Sequence, residues 1–195
     1  MRVLFLDFDG VLNTDRYQAD LHSQALPTSD EFGALFDPDT VASLRAIIDV
    51  VPDLKIVIES SWKAIGLNAM RQMWIARGLP GKVYDITPHI DNDELLLSVN
   101  LDDPEAFSKL EGQGKSGEIQ AWLDAHRKDV ETYVILDDVD EFQGELGDHL
   151  VVTDPRKGLT SSKAIETVWR LKGGSKARKN NYEREGRPGS NPRRF

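Results

Sequence analysis

The sequence contains no cysteine. That excludes disulfide staples and thiolate metal sites, and it leaves oxygen and nitrogen as the nucleophiles for any covalent chemistry. Long hydrophobic runs are missing too, since no stretch approaches the ~20 apolar residues of a membrane-spanning helix. The first residues carry one arginine and a short strand-like run without a small-residue cleavage site, so no secretory leader is expected. A cytoplasmic protein with no membrane partner fits these absences. Histidine is scarce, and His22, His89, His126 and His149 show no metal-ligand spacing.

Positive charge is thin over most of the chain and concentrated at its end. The formal net charge is −9, yet Lys172 to Phe195 holds eight basic and two acidic residues, which leaves −15 for the first 171. An acidic body followed by a basic segment with almost nothing apolar reads as a folded domain over 1–171 and a disordered tail over 172–195. The tail cluster Lys176, Arg178 and Lys179 is a candidate contact for phosphate backbones, which would make nucleic acid a partner.

Within the body, Val3 to Asp7 is a continuous apolar run ending in acid, the pattern of a strand buried on both faces. Thr14 to about Phe36 is polar without clear period and reads as a long loop. Asp37-Pro38 then has the form of an N-cap with proline at the first helical position, opening a helix with Val41, Leu44, Ile47, Ile48 and Val51 on one face. Lys55 to Glu59 is a second buried strand, and Leu67, Met70, Met73 and Trp74 recur at helical spacing until Gly78. A weaker strand is expected at Lys82 to Ile86, an inserted loop or small flap over 88–114, and a helix through Ile119, Trp122, Leu123 and His126. Thr132 to Leu136 is a strand ending in Asp137-Asp138, His149 to Thr153 is another, and a last helix runs from about Ser161 to Leu171. Strands alternating with helices predict an α/β fold: a Rossmann-like parallel sheet with helices on both faces. Neither loop is long enough for a full lid, so the cap is minimal and the open site would admit a bulky substrate such as a polymer end.

In such a sheet, ligands sit beyond the carboxyl ends of the strands, at the topological switch point. The first strand ends in Asp7-Phe8-Asp9-Gly10, the second in Ser60-Ser61, and the fourth in Asp137-Asp138, while Lys115 precedes the helix leading into the fourth. Four carboxylates at one edge repel one another and raise each other's pKa. A hard divalent cation resolves the conflict, and Mg2+ suits a few carboxylates plus a phosphate oxygen. The candidate metal ligands are Asp7, Asp9, Asp137 and Asp138. Asp7 is placed to attack phosphorus and Asp9 to donate a proton to the leaving oxygen and later activate water. Continuation of the strand would put these two side chains on one face, with Gly10 permitting the turn. Lys115 supplies charge at the phosphoryl oxygens, and Ser60 or Ser61 holds one of them. Gly10, Ser61, Trp62 and Lys63 complete the candidate substrate-binding set. Trp62 reads either as a base-stacking platform or as core.

Asp7-Phe8-Asp9-Gly10-Val11-Leu12-Asn13, Ser60-Ser61-Trp62-Lys63, Lys115 and Leu136-Asp137-Asp138 resemble, in their usual order, the four motifs of haloacid-dehalogenase-like (HAD) phosphatases. Among these the chain is similar to the HAD domain of Swiss Army Knife RNA-repair proteins, through Ser-Ser-Trp, the Gly114-to-Leu123 helix entry, and Thr153-Asp154-Pro155 followed by Gly158-Leu159-Thr160. The resemblance implies a Rossmann-like fold and Mg2+-dependent phosphate-ester hydrolysis through an aspartyl-phosphate intermediate. It makes Asp7 the nucleophile, Asp9 the general acid/base, and Asp7, Asp9 and Asp138 the metal shell. The clade and the basic tail point to a nucleotide or a nucleic-acid end as the phosphorylated substrate. Two positions depart: Lys63 stands where the clade often has arginine, and Glu59 adds an acid at the strand end. They motivate a second reading, a HAD-fold binding or regulatory module with weak turnover.

Other readings of the same motifs fail on spacing. A calcium loop needs Asp or Asn and then Gly at the fifth and sixth positions from Asp7, where Val11 and Leu12 stand. Gly114-Lys115-Ser116 imitates the end of a P-loop, but Lys109 occupies the position of the required first glycine.

Overall fold

The computed structural model describes residues 1–90 and 114–174. Its centre is a five-stranded sheet formed by β1 (Arg2–Leu6), β4 (Lys55–Ile58), β5 (Val83–Ile86), β6 (Thr132–Asp137) and β7 (Leu150–Val152). The order across the sheet is β5-β4-β1-β6-β7, and every pairing is parallel. The chain leaves β1 toward β4 on one side and returns to β6 on the other, so the switch point lies at the carboxyl ends of β1 and β6.

A strand buried on both faces serves two cores, and β1 does so by strict alternation. Leu4 and Leu6 point into one, with α2 (Pro38–Val50), α3 (Leu67–Ala76) and α6 (Ser161–Leu171) packed over them. Val3 and Phe5 point into the other, beneath Ile119 and Trp122 of α4 (Lys115–His126) and Leu146 of α5 (Gly144–His149). Each such side chain contributes on the order of 1.5–3 kcal/mol by leaving water. The edge of Trp122 meets the ring of Phe5 with centroids 5.3 Å apart, which fixes α4 against the sheet. Because Lys115 opens that helix, the packing also sets where its side chain begins.

The helix signals read from sequence are used as expected at α2 and α6. Asp37 accepts a hydrogen bond from the Asp39 amide at 2.9 Å with Pro38 at the first position, and Thr160 caps α6 through the Lys163 amide. The stretch from Thr14 to Phe36 is a correction. Instead of a loop it forms α1 (Asp15–Ser23), capped by Thr14, and a hairpin of β2 (Ser29–Asp30) and β3 (Gly33–Ala34). Leu21 alone is buried on α1, so there was no apolar period to read. The expected strand from His149 is similarly shortened to Leu150–Val152 by the six-residue α5 before it. Most of the expected insert over 88–114 and of the tail over 172–195 lies outside the described residues.

Candidate active site

The ladder places the acids before any side-chain chemistry does. Pairing of Leu6 with Leu136 on one side and Ile58 on the other brings Asp7, Asp137 and Glu59 to adjacent positions at the sheet's carboxyl edge. Backbone bonds from the Asp7 amide to the Leu136 carbonyl at 3.0 Å and from the Glu59 amide to Leu6 at 3.1 Å extend the register past the last paired residues. Asp7, Asp137 and Glu59 are buried.

Lys115 enters this cluster from the start of α4. Its Nζ donates to Asp7 Oδ2 at 2.6 Å and Asp137 Oδ2 at 2.8 Å, and lies 3.5 Å from Glu59 Oε2. Burial works against the ammonium, but Glu59, Asp7 and Asp137 outweigh it and hold its pKa above the ordinary lysine value. Burial pushes Asp7 up, and the Lys115 charge only partly offsets it. Glu59 is raised further, again by burial, with Asp137 and Asp7 adding to the repulsion, and among the described residues neither of its oxygens has a hydrogen-bond partner.

Asp7, Asp137 and Asp138 offer carboxylate oxygens within 4.8 Å of one another. Asp138 is half-buried, and burial followed by the charges of Asp137 and Asp7 raises its pKa. Such a set of hard oxygen donors fits Mg2+. Gly10 makes room for it. With φ at +67° it takes a conformation that side chains disfavour, and a Cβ there would overlap the Asp138 carboxylate. Thr153, which sequence reasoning quoted only as a family feature, donates to the Gly10 carbonyl at 2.8 Å and pins this turn.

Asp9, the fourth residue expected at the metal, is not part of this side-chain trio. The strand stops at Leu6 and the chain turns, with the amides of Val11, Leu12 and Asn13 all donating to the Phe8 carbonyl. Strand alternation therefore does not carry over to Asp9, which is exposed while Asp7 is buried. Its Oδ1 accepts from Asn13 Nδ2 at 2.7 Å and its Oδ2 from Trp62 Nε1 at 3.0 Å.

The motif after β4 divides unevenly. Ser60 is fully buried and its Oγ accepts from the Trp62 amide at 3.5 Å, whereas Ser61 is exposed at the start of a 3-10 turn over Ser61–Ile65. Trp62 packs edge-on against Phe8 at 5.4 Å and beside Phe36 at 5.7 Å, with the Arg77 guanidinium 5.6 Å from its centroid. Those neighbours give the half-buried ring packing partners of its own. Lys63 is also expected in the substrate-binding set. It is buried, pairs with Glu118, and its Nζ also reaches the Glu59 carbonyl at 3.4 Å. Its charge is committed inside the protein. A partner 55 residues away gave no local signal for this.

A family model described as the HAD domain in Swiss Army Knife RNA repair proteins matches residues 3–164, more than half of the chain. The chain belongs to this family. Membership supports a HAD-type phosphotransferase function on a phosphorylated substrate, and the acidic trio stands at the switch point of this fold. No curated protein and no solved structure matches the chain. Among the described residues no helix is long and apolar enough to cross a membrane.

Proposed function

We propose that this HAD domain, comprising residues 1–171 with a basic tail over 172–195, hydrolyses phosphate monoesters with Mg2+ through a phosphorylated Asp7. The observation that carries this reading is the meeting of Asp7, Asp137, Asp138 and Lys115 at one switch point, from three separate stretches of chain. Asp7, Asp137 and Asp138 would hold the ion. Magnesium, when bound, screens these acids from an incoming phosphate dianion and withdraws charge from its oxygens.

An oxygen of Asp7 attacks phosphorus while the ester oxygen departs with its electron pair and takes a proton from Asp9. Water then attacks the phosphorus of the aspartyl phosphate, gives its proton to Asp9, and releases inorganic phosphate with Asp7 restored. Lys115 stabilises the negative charge spread over the phosphoryl oxygens, and Gly10 leaves room for the Asp138 carboxylate. Of the two serines, Ser60 is the better hydroxyl for a phosphoryl oxygen, because it directly follows Glu59 of the acid cluster in the chain. Ser61, exposed at the mouth, is left to contact the remainder of the substrate.

A nucleotide or nucleic-acid end is the substrate class that the family's RNA-repair context and the basic tail favour, and the cysteine-free sequence fits a cytoplasmic location. The test is a Mg2+-dependent release of phosphate measured over nucleotides, sugar phosphates and oligonucleotides phosphorylated at either end. Turnover on one of these classes that is lost in Asp7→Asn is the expected result. Retained turnover in Asp7→Asn would refute the nucleophile.

Glu59 favours a second reading, a binding or regulatory module with weak turnover, because it draws on the Lys115 charge from 3.5 Å away. Thermal stabilisation by Mg2+ without hydrolysis across the same panel would support that reading over the first.

A further inference from the structure

Asp9 is held differently from Asp7, Glu59 and Asp137, which gather around Lys115. No cation touches it among the described residues; its two oxygens accept from two neutral donors, Asn13 Nδ2 at 2.7 Å and Trp62 Nε1 at 3.0 Å. Asn13 belongs to the same turn as Asp9, but Trp62 comes from beyond β4, 53 residues away. Each carboxyl oxygen has a second lone pair free, so a proton can be carried on either while both donors stay in place. What the donors fix is the plane and direction of the group.

The indole is itself clamped. Phe8 meets it edge-on at 90° and Phe36 lies beside it at 36°. Arg77, following α3, extends its guanidinium over Phe36 at 4.5 Å and toward Trp62 at 5.6 Å. That guanidinium is held by two bonds to Asp30, at 2.6 and 3.0 Å, and by one to the Gly33 carbonyl at 3.1 Å. Gly33, with φ at +119°, closes on the rim of the indole, since a Cβ there would stand 2.9 Å from Trp62 Cη2. The hairpin of β2 and β3 thus reaches Asp9 through a single N–H.

We infer that Trp62 is a positioning residue for proton transfer by Asp9, and that the Asp30–Arg77 pair on the hairpin braces it. The inference rests on the phosphatase reading and deepens it. Trp62→Phe keeps a ring against Phe8 and Phe36 but removes the donor. Proton donation matters most when the leaving oxygen is basic, so the probes are phenyl phosphate and p-nitrophenyl phosphate, which differ little in size and greatly in leaving-group acidity. In kcat/KM, which reports steps through departure of the leaving group, Trp62→Phe is expected to lose roughly 10-fold on phenyl phosphate, as misplacement of a catalytic group does. The loss on p-nitrophenyl phosphate should stay within about 2-fold by the same argument.

Asp30→Asn, outside the site, should act in the same direction by about 2- to 3-fold, and it carries the test if Trp62→Phe does not fold. Equal losses on both esters, or no loss on either, would overturn the inference. Asp9→Asn separates the two levels of argument. If it loses phenyl phosphate selectively and the Trp62 and Asp30 variants do not, the bracing role alone falls. If Asp9→Asn shows no selectivity, the assignment of Asp9 as acid/base falls and takes the inference with it.

Discussion

The floor and the rim of the site hold their carboxylates by opposite means. On the floor, Asp7, Glu59 and Asp137 are buried around one ammonium, and each position is set by the β-ladder. On the rim, Asp9 is exposed and is held by an amide and an indole that carry no charge. Charges packed at low dielectric make strong fields that a cation or a phosphoryl group can use, but they also resist a change of protonation state. In the proposed mechanism the two aspartates of one motif take different steps, and the structure holds them by different means.

Breaking the floor should have the largest effect. Lys115→Met leaves Asp7, Asp137 and Glu59 facing one another without a cation. Turnover is expected to fall on the order of 10³-fold, as when a charged stabiliser of the transition state is removed. The same variant, in chemical denaturation, should recover more stability from added Mg2+ than the wild type does. An unchanged rate would place Lys115 outside the chemistry.

Lys63→Met sharpens the boundary between floor and interior. With both side chains of the Lys63–Glu118 pair buried, stranding Glu118 should cost about 3 kcal/mol of stability. KM for an aryl phosphate should change little once the variant is compared at a temperature where it is folded. A large rise in KM with intact stability would restore Lys63 as a phosphate contact.

Glu59→Gln probes the floor by pH. Burial raises the Glu59 pKa in the folded protein above its value in the unfolded chain, so the native state binds the extra proton between the two values. Stability from this group is therefore greatest below the unfolded pKa and declines as pH rises from there toward the folded one. Glu59→Gln should remove that decline, so that without Mg2+ the variant gains on the wild type as pH rises above the ordinary glutamate range. Parallel stability curves would mean that Glu59 keeps its ordinary pKa. Smallest of all should be the few-fold loss in Asp30→Asn, on the outermost support of the rim.

Sequence was most readable where one local pattern determines the structure. The apolar run from Val3, the Asp37-Pro38 start and the amphipathic Ser161–Leu171 helix each carry their own signal, and the acids at the ends of two strands followed from fold logic. The helices Asp15–Ser23 and Gly144–His149 bury one residue each, Leu21 and Leu146, so no period announced them. The same limit explains the site. The Lys63–Glu118 pair is fixed only by tertiary packing, and the hydrogen bond from Trp62 to Asp9 could not be seen until the turn after Leu6 was known. The acids that cluster at the strand ends were legible; the side chains packed around them were not.

The most direct measurement is mass spectrometry of the protein quenched in acid shortly after mixing with Mg2+ and an aryl phosphate. A phosphoryl adduct on Asp7 that appears before steady state, and is absent from Asp7→Asn, is the result predicted here. Hydrolysis that proceeds with no adduct, or with the adduct on another residue, would contradict the assignment of Asp7 as the nucleophile.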